Sequence, residues 1–247
     1  MMKMNLNKLF LTNNECYKAG KKITVKGIMV HSTGANNPWL KRYLPDDGKI
    51  GKNQYGNHWD TARPGGIQVC VHGFIGKLAD GSVATYQTLP WNHRGWHAGG
   101  SANNTHIGFE ICEDSLSDST YFNAVYKEAV ELCAYLCKEY GLTEKDIICH
   151  SEGYKKGIAS NHGDVMHWFP KHGKSMDTFR SDVKKLLSDN ATTAAVTELT
   201  TVNDIVWELA HRGIISDSAL WLKKLEEDTN SYWLARKTAN YLRNKNV

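Results

Sequence analysis

The chain lacks any run approaching 18 consecutive apolar residues, so no segment is suited to cross a bilayer as a helix. It also lacks an apolar leader. The opening Met1-Met2-Lys3-Met4-Asn5-Leu6 is too polar for one, which leads us to expect synthesis in the cytoplasm and release by lysis or another route if the protein acts outside. Dense Lys/Arg clusters are missing: the net charge is only +4, too mild for a nucleic-acid binder. Seven basic and seven acidic side chains cancel in residues 191–247, so the excess lies in the first 190. The six cysteines form no CxxC pair, and four sit inside apolar runs, where a reduced thiol behaves as a small hydrophobe. They read as mostly free thiols of a reducing compartment, and Cys133 and Cys137, four apart on one expected helix, are unsuited to pair with each other.

With 247 residues there is room for one sizeable domain and a smaller second one. Residues 22–31, 67–76, 82–88, 106–112 and 146–149 read as strands, the second and third joined through an Asp80-Gly81 turn signal. Residues 120–140 carry apolar side chains at helical spacing from Phe122 to Tyr140, with Gly141 as the stop. A further helix is expected over about 176–188. Strands and helices alternate, which predicts an α/β domain over residues 1–188, a central mixed sheet flanked by helices. Residues 32–66 are rich in Gly, Asn, Pro and aromatics and read as a long loop, a length that is usually functional or disordered. Small polar residues 189–201 read as a linker. Residues 202–247 show three short helical patterns, with Gly213 ending the first, Ser216 able to cap the second, and Trp207, Trp221 and Trp233 supplying mass for a small all-α core.

Two histidines stand out by position. His31 ends one apolar strand and His150 ends another, each followed by a serine. Rigid strand ends can bring two such side chains to one point, and a catalytic zinc needs about three protein ligands and an open position. The segment Ser160-Asn161-His162-Gly163-Asp164-Val165-Met166-His167 offers the third. By pattern alone His162, Asp164 and His167 are all eligible. Glu110, in the strand His106–Cys112, is a carboxylate among apolar neighbours; burial would raise its pKa and suit it to general base work, and a structural ion pair is the equal alternative. The loop Trp91-Asn92-His93-Arg94-Gly95-Trp96-His97 offers stacking and hydrogen-bond donors, or simple loop packing. His72, inside a strand, is as readily a satisfied core histidine.

Ile28-Met29-Val30-His31-Ser32-Thr33, Trp96-His97-Ala98-Gly99, Ile107-Gly108-Phe109-Glu110 and Cys149-His150-Ser151-Glu152-Gly153, with Ser160 to Pro170, resemble the type 2 N-acetylmuramoyl-L-alanine amidase family. That family includes phage and prophage endolysins and is related to the peptidoglycan recognition proteins. The resemblance covers about residues 25–188. It implies a Zn2+ enzyme cleaving the bond between N-acetylmuramic acid and L-alanine in peptidoglycan, with His31, His150 and Asp164 as metal ligands. It also implies that Glu110 is the catalytic acid/base and that His162, in a place commonly held by lysine, stabilises the oxyanion. His162 as ligand remains the rival to Asp164. The substrate side is expected at Trp96, His97, His72 and Asn104. A non-catalytic peptidoglycan-binding protein and an amidase of soluble muropeptides are the alternative functions. The C-terminal module lies outside the resemblance; by analogy it binds the wall, with self-association into a homo-oligomer or docking on the catalytic domain as the other expectations.

Overall fold

The computed structural model describes residues 4–195 and 201–245. Contacts divide the chain into residues 1–187 and 188–247. The first unit holds β1 (Leu6–Lys8), α1 (Glu15–Ala19), β2 (Gly27–Ser32), β3 (Gly73–Lys77), β4 (Val83–Gln87) and β5 (His106–Ile111). These are followed by α2 (Ser119–Tyr140), β6 (Ile147–Cys149), α3 (His150–Lys155) and the greater part of α4 (Met176–Ala195), which runs past residue 187. The strands form one six-stranded sheet in the order β1-β4-β3-β5-β2-β6. Only the β3–β4 hairpin is antiparallel, as the Asp80-Gly81 turn predicts; every other pair is parallel. This is the mixed sheet with flanking helices expected from the sequence.

Alternation along the strands divides the sheet into two faces. Ile28 and Val30 of β2 and Ile107 and Phe109 of β5 join one fully buried core with Phe122, Val125, Ala129, Cys133 and Leu136 of α2. Burying a side chain of this size contributes roughly 1.5–3 kcal/mol, so this face anchors the sheet. Helix α2 is well delimited: the Asp118 carboxylate accepts from the N–H groups of Thr120 and Tyr121, and Gly141 closes it at φ +65°. The opposite face of β2 carries Met29 and His31, and that of β5 carries Gly108 and Glu110. The site lies there.

Several expectations change. The strand expected over 67–76 begins only at Gly73, because residues 67–72 are drawn into a cross-link: Cys16 and Cys70 are disulfide-bonded. That corrects the reading of the cysteines for this pair, while Cys112, Cys133, Cys137 and Cys149 are free and buried. The long loop is packed rather than loose, its Leu40, Tyr43, Leu44 and Ile50 forming a second core with Phe74 and Tyr86. Residues 189–195, expected as linker, continue α4, consistent with the high helix propensity of their alanines; residues 196–200 of that stretch lie outside the described residues.

The second unit contains α5 (Val202–His211), α6 (Ser218–Glu227) and α7 (Thr229–Lys245), the three expected helices. Its core is aliphatic: Ile205, Val206, Leu209, Ile215 and Leu225, with Ala235 and Ala239. Trp221 only packs against it and Trp233 is half exposed, so neither of these builds the centre; the Trp207 side chain lies outside the described residues. Asp217, not Ser216, caps α6, its carboxylate accepting from the Leu220 N–H. Among the described residues no helix is long and apolar enough to cross a membrane.

Candidate metal centre

Sheet register brings the site together. His31 pairs directly with Glu110, and Val30 pairs with Cys149, so His31 and His150 each occupy the next position of adjoining parallel strands. The carboxylate of Glu152 accepts from the Cys149 N–H at 3.1 Å, and Arg180 of α4 grips both Glu152 oxygens at 3.0 Å, fixing the start of α3 and with it His150. The Ser151 N–H donates to the Asp164 carbonyl, which draws the third segment in.

His31 Nδ1 lies 3.1 Å from His150 Nδ1 and 3.1 Å from Asp164 Oδ2, and His150 Nδ1 lies 3.5 Å from the same oxygen. Both histidines are nearly buried, at 1% and 4% exposure. A tetrahedral zinc with ligand bonds of about 2.0–2.1 Å spaces its donors roughly 3.3–3.4 Å apart, so these three atoms have the dimensions of one face of its coordination shell. Burial lowers the His31 pKa, with the Asp164 hydrogen bond and charge opposing. Burial alone would raise that of Asp164, but hydrogen bonds and charge from His150 and His31 outweigh it and hold the carboxylate well below its usual range. Two imidazoles and a carboxylate make a donor set that suits zinc.

Each histidine is braced from behind by the same turn. With Nδ1 of His31 facing the cluster, its Nε2–H donates to His97 Nδ1 at 2.9 Å, and the His97 Nε2–H donates to the His106 carbonyl at 3.2 Å. His150 Nε2–H likewise donates to Ser160 Oγ at 3.2 Å, whose hydroxyl donates to the Ala98 carbonyl at 3.3 Å. The Asn103 side-chain oxygen accepts from both the His97 and Ala98 N–H groups at 2.9 Å. Outer partners of this kind fix the tautomer and ring orientation of metal-binding histidines. Two ring nitrogens and a carboxylate oxygen within 3.5 Å of one another form a cluster that a shared cation would fit. Space for the brace comes from glycine. A Cβ at Gly108 would overlap the His97 ring, and one at Gly99 would lie 2.5 Å from Ser160 Oγ.

Glu110 faces the cluster with its Oε2 buried and unpartnered among the described residues. Burial, then the negative charges of Asp164 and Glu113, push its pKa well above the usual carboxyl value. A carboxyl whose pKa is raised holds a proton more readily than a free one, which suits it to take up and return one. His162 is exposed, with its ring 4.7 Å from that of His150, outside the donor cluster but beside it.

The expected substrate residues separate. His97 is an internal brace, 9% exposed and turned toward His31. His72 is fully buried: its Nε2–H donates to the His93 carbonyl at 2.8 Å and its Nδ1 accepts from the Gly108 N–H at 3.0 Å, the partners of a satisfied core histidine. Burial lowers its pKa to about 4. Trp96 packs beside the Cys16–Cys70 disulfide and Leu89. Asn104 is exposed and accepts from Arg94 Nε at 2.7 Å. Ser160, Asn103 and Glu113 were not singled out from the sequence. The buried Glu113 carboxylate accepts from the Gly34 N–H at 3.2 Å and from His167 Nε2 at 2.8 Å, tying the chain after His31 to the chain after Asp164. Polar residues in loops carry no periodic signal, and only their neighbours in space reveal them.

Residues 21–167, which include every member of this cluster, match the family model described as N-acetylmuramoyl-L-alanine amidase. The chain belongs to that amidase family. Among curated relatives, the N-acetylmuramoyl-L-alanine amidase XlyA of Bacillus subtilis (strain 168) is 38% identical over 68 residues, 26% of this chain and 22% of XlyA. The match thus spans about a fifth of that relative's length. In fold, the chain resembles the Staphylococcus aureus hydrolase AmiA, solved with its ligand, at a TM-score of 0.51 and 19% identity over 75% of this chain and 83% of that one. It also resembles the catalytic domain of XlyA, at a TM-score of 0.50 and 22% identity over 73% of this chain and 99% of that one.

Proposed function

We propose that this member of the amidase family is a zinc-dependent hydrolase of the amide bond between N-acetylmuramic acid and L-alanine in bacterial peptidoglycan. The observation that carries the reading is the triangle of His31 Nδ1, His150 Nδ1 and Asp164 Oδ2, with an unpartnered, protonatable Glu110 beside it. A zinc ion held by those three atoms supplies Lewis acidity, polarising the amide carbonyl and acidifying water. Glu110 takes the proton of the attacking water on its free Oε2 and returns one to the departing alanyl nitrogen. His162, exposed beside His150, donates to the oxyanion, a role often worth roughly 3–4 kcal/mol. The four-residue brace of His97, Ala98, Asn103 and Ser160 holds the two ligand rings.

Replacing Glu110 with Gln keeps the size and removes the proton carrier. Zinc content, read by atomic absorption, is expected to stay at one ion per chain, while release of peptide with a free alanyl amine falls at least about 100-fold. Activity at the parent level would falsify the assignment of Glu110. The resemblance of its motifs to the endolysin branch of the family supports action on the wall after release from the producing cell, and the C-terminal three-helix unit is assigned to holding that polymer.

A further inference from the structure

Past His31 the chain leaves the carboxyl end of β2 and folds into a cleft of about 260 Å3. Lys41, Arg42, Lys52, Asn53, Gln54 and Tyr55 line it, and no carboxylate does. Among the described residues none of the three cations has an ion-pair partner within 4.0 Å. Two are held in place by other means. Arg42 Nη1 donates to the Asn57 carbonyl at 2.7 Å with its guanidinium 5.4 Å from the Tyr43 ring centre, and Lys41 Nζ sits 5.1 Å over the Trp39 ring. Lys77 adds a fourth cation on the same ring at 5.8 Å. Like charges gathered in a concavity and left without counter-charges repel one another, and they focus a positive potential into the space they enclose.

The cleft is fastened to the end of the sheet that carries the metal centre. The Lys77 N–H, at the end of β3, donates to the Pro38 carbonyl at 2.7 Å. The Asn37 N–H, on the cleft wall, donates to the Glu113 carbonyl at 2.8 Å, just past the end of β5. Glu113 is also the residue whose carboxylate links the segments following His31 and Asp164. In open sheets with parallel strands, ligands bind at the carboxyl ends of those strands. We infer that this cleft is a carboxylate-binding subsite that takes an acidic residue of the peptide joined to the scissile amide. The inference rests on the amidase reading. A planar guanidinium flanked by side-chain amides matches a carboxylate, accepting it through paired N–H donors. Tyr55, 84% exposed, forms an apolar wall at the rim.

Calorimetric titration of the zinc-loaded full chain, in a Glu110→Gln background to prevent turnover, tests this at low ionic strength. The probes are an N-acetylmuramoyl-L-alanyl peptide ending in an acidic residue and the same compound with its peptide carboxylates converted to amides. The acid is expected to bind about 10-fold more tightly than the amide, and the Lys41→Gln/Arg42→Gln/Lys52→Gln chain is expected to bind both alike. Lys52→Gln alone, at an exposed position where folding is not at stake, should remove part of the preference. Equal binding of acid and amide by the parent, or an undiminished preference in the triple variant, overturns the inference. So does tighter binding of inorganic phosphate than of the acidic peptide, which would assign the cleft to a phosphate-bearing polymer. Turnover by the unmutated chain is read separately: peptide release without a carboxylate preference sinks only the subsite, and a preference without release sinks only the amidase reading.

Discussion

His97 sits behind the metal centre rather than in front of it, and its removal has a distinct signature. Replacing it with Phe deletes the acceptor for His31 Nε2–H, so zinc affinity measured against a chelator should fall about 10- to 100-fold. Gln at the same position offers a carbonyl oxygen and should recover much of the loss. Unchanged zinc affinity in the Phe variant would rule out the brace. His72 governs a different property. Its pKa is pulled down to about 4 in the fold by burial, from about 6.5 when unfolded. Between those values the unfolded chain binds a proton that the folded chain does not, so stability falls as pH drops through 6.5 toward 4, by up to about 1.4 kcal/mol per pH unit. Urea midpoints of a His72→Gln chain between pH 6.5 and 4.5 should fall less steeply than those of the parent. A parallel slope would show that His72 does not titrate in this way.

Pairing of β2 with β5 and β6 is what turns sequence into site. The apolar runs Ile28–Val30 and Ile147–Cys149 were legible as strands because both faces are covered, and the histidines were legible because each follows such a run. Asp164 was legible only through family resemblance, since an irregular segment carries no period. The disulfide was not legible: Cys16 and Cys70 are 54 residues apart with no motif around either. The brace was half legible, as a Trp-His-Ala-Gly motif whose histidine was expected to face substrate. Its glycines make sense only once the elements are packed. Gly108 breaks the apolar run of β5 because the His97 ring occupies the volume of its missing side chain. Gly108→Ala is therefore expected to cost about 1–3 kcal/mol through overpacking and to lower the melting temperature by roughly 2–12 °C. It should also weaken zinc binding, which an Ala replacement packed harmlessly would leave alone.

At the scale of the whole molecule the chain joins a long unit, which carries the family match, to a short helical one with its own aliphatic core. The exposed side chains of Leu220, Trp233 and Leu234 give that second unit apolar and aromatic surface. If it holds the wall, a chain ending at residue 188 should cleave a soluble muramyl peptide at the parent rate while the fraction sedimenting with purified walls drops several-fold. Equal sedimentation would remove the wall-binding role. A fall in particle mass beyond that of the deleted residues, read by light scattering, would assign the unit to self-association instead.

The sheet register also sets when the centre can first exist. Strand β2 pairs with partners that begin at Gly27↔His106 and Ile28↔Ile147, and the third donor comes at Asp164. Every one of these contacts is distant along the chain, and parallel pairs of that kind form late because long loops must close first. During synthesis, at about 5–20 residues per second, the emerging polypeptide carries both a nucleation-ready hairpin, β3–β4, and an isolated His31 long before it can assemble a zinc site. Until Asp164 has been made the nascent chain lacks the third donor, so the cluster cannot close before that point.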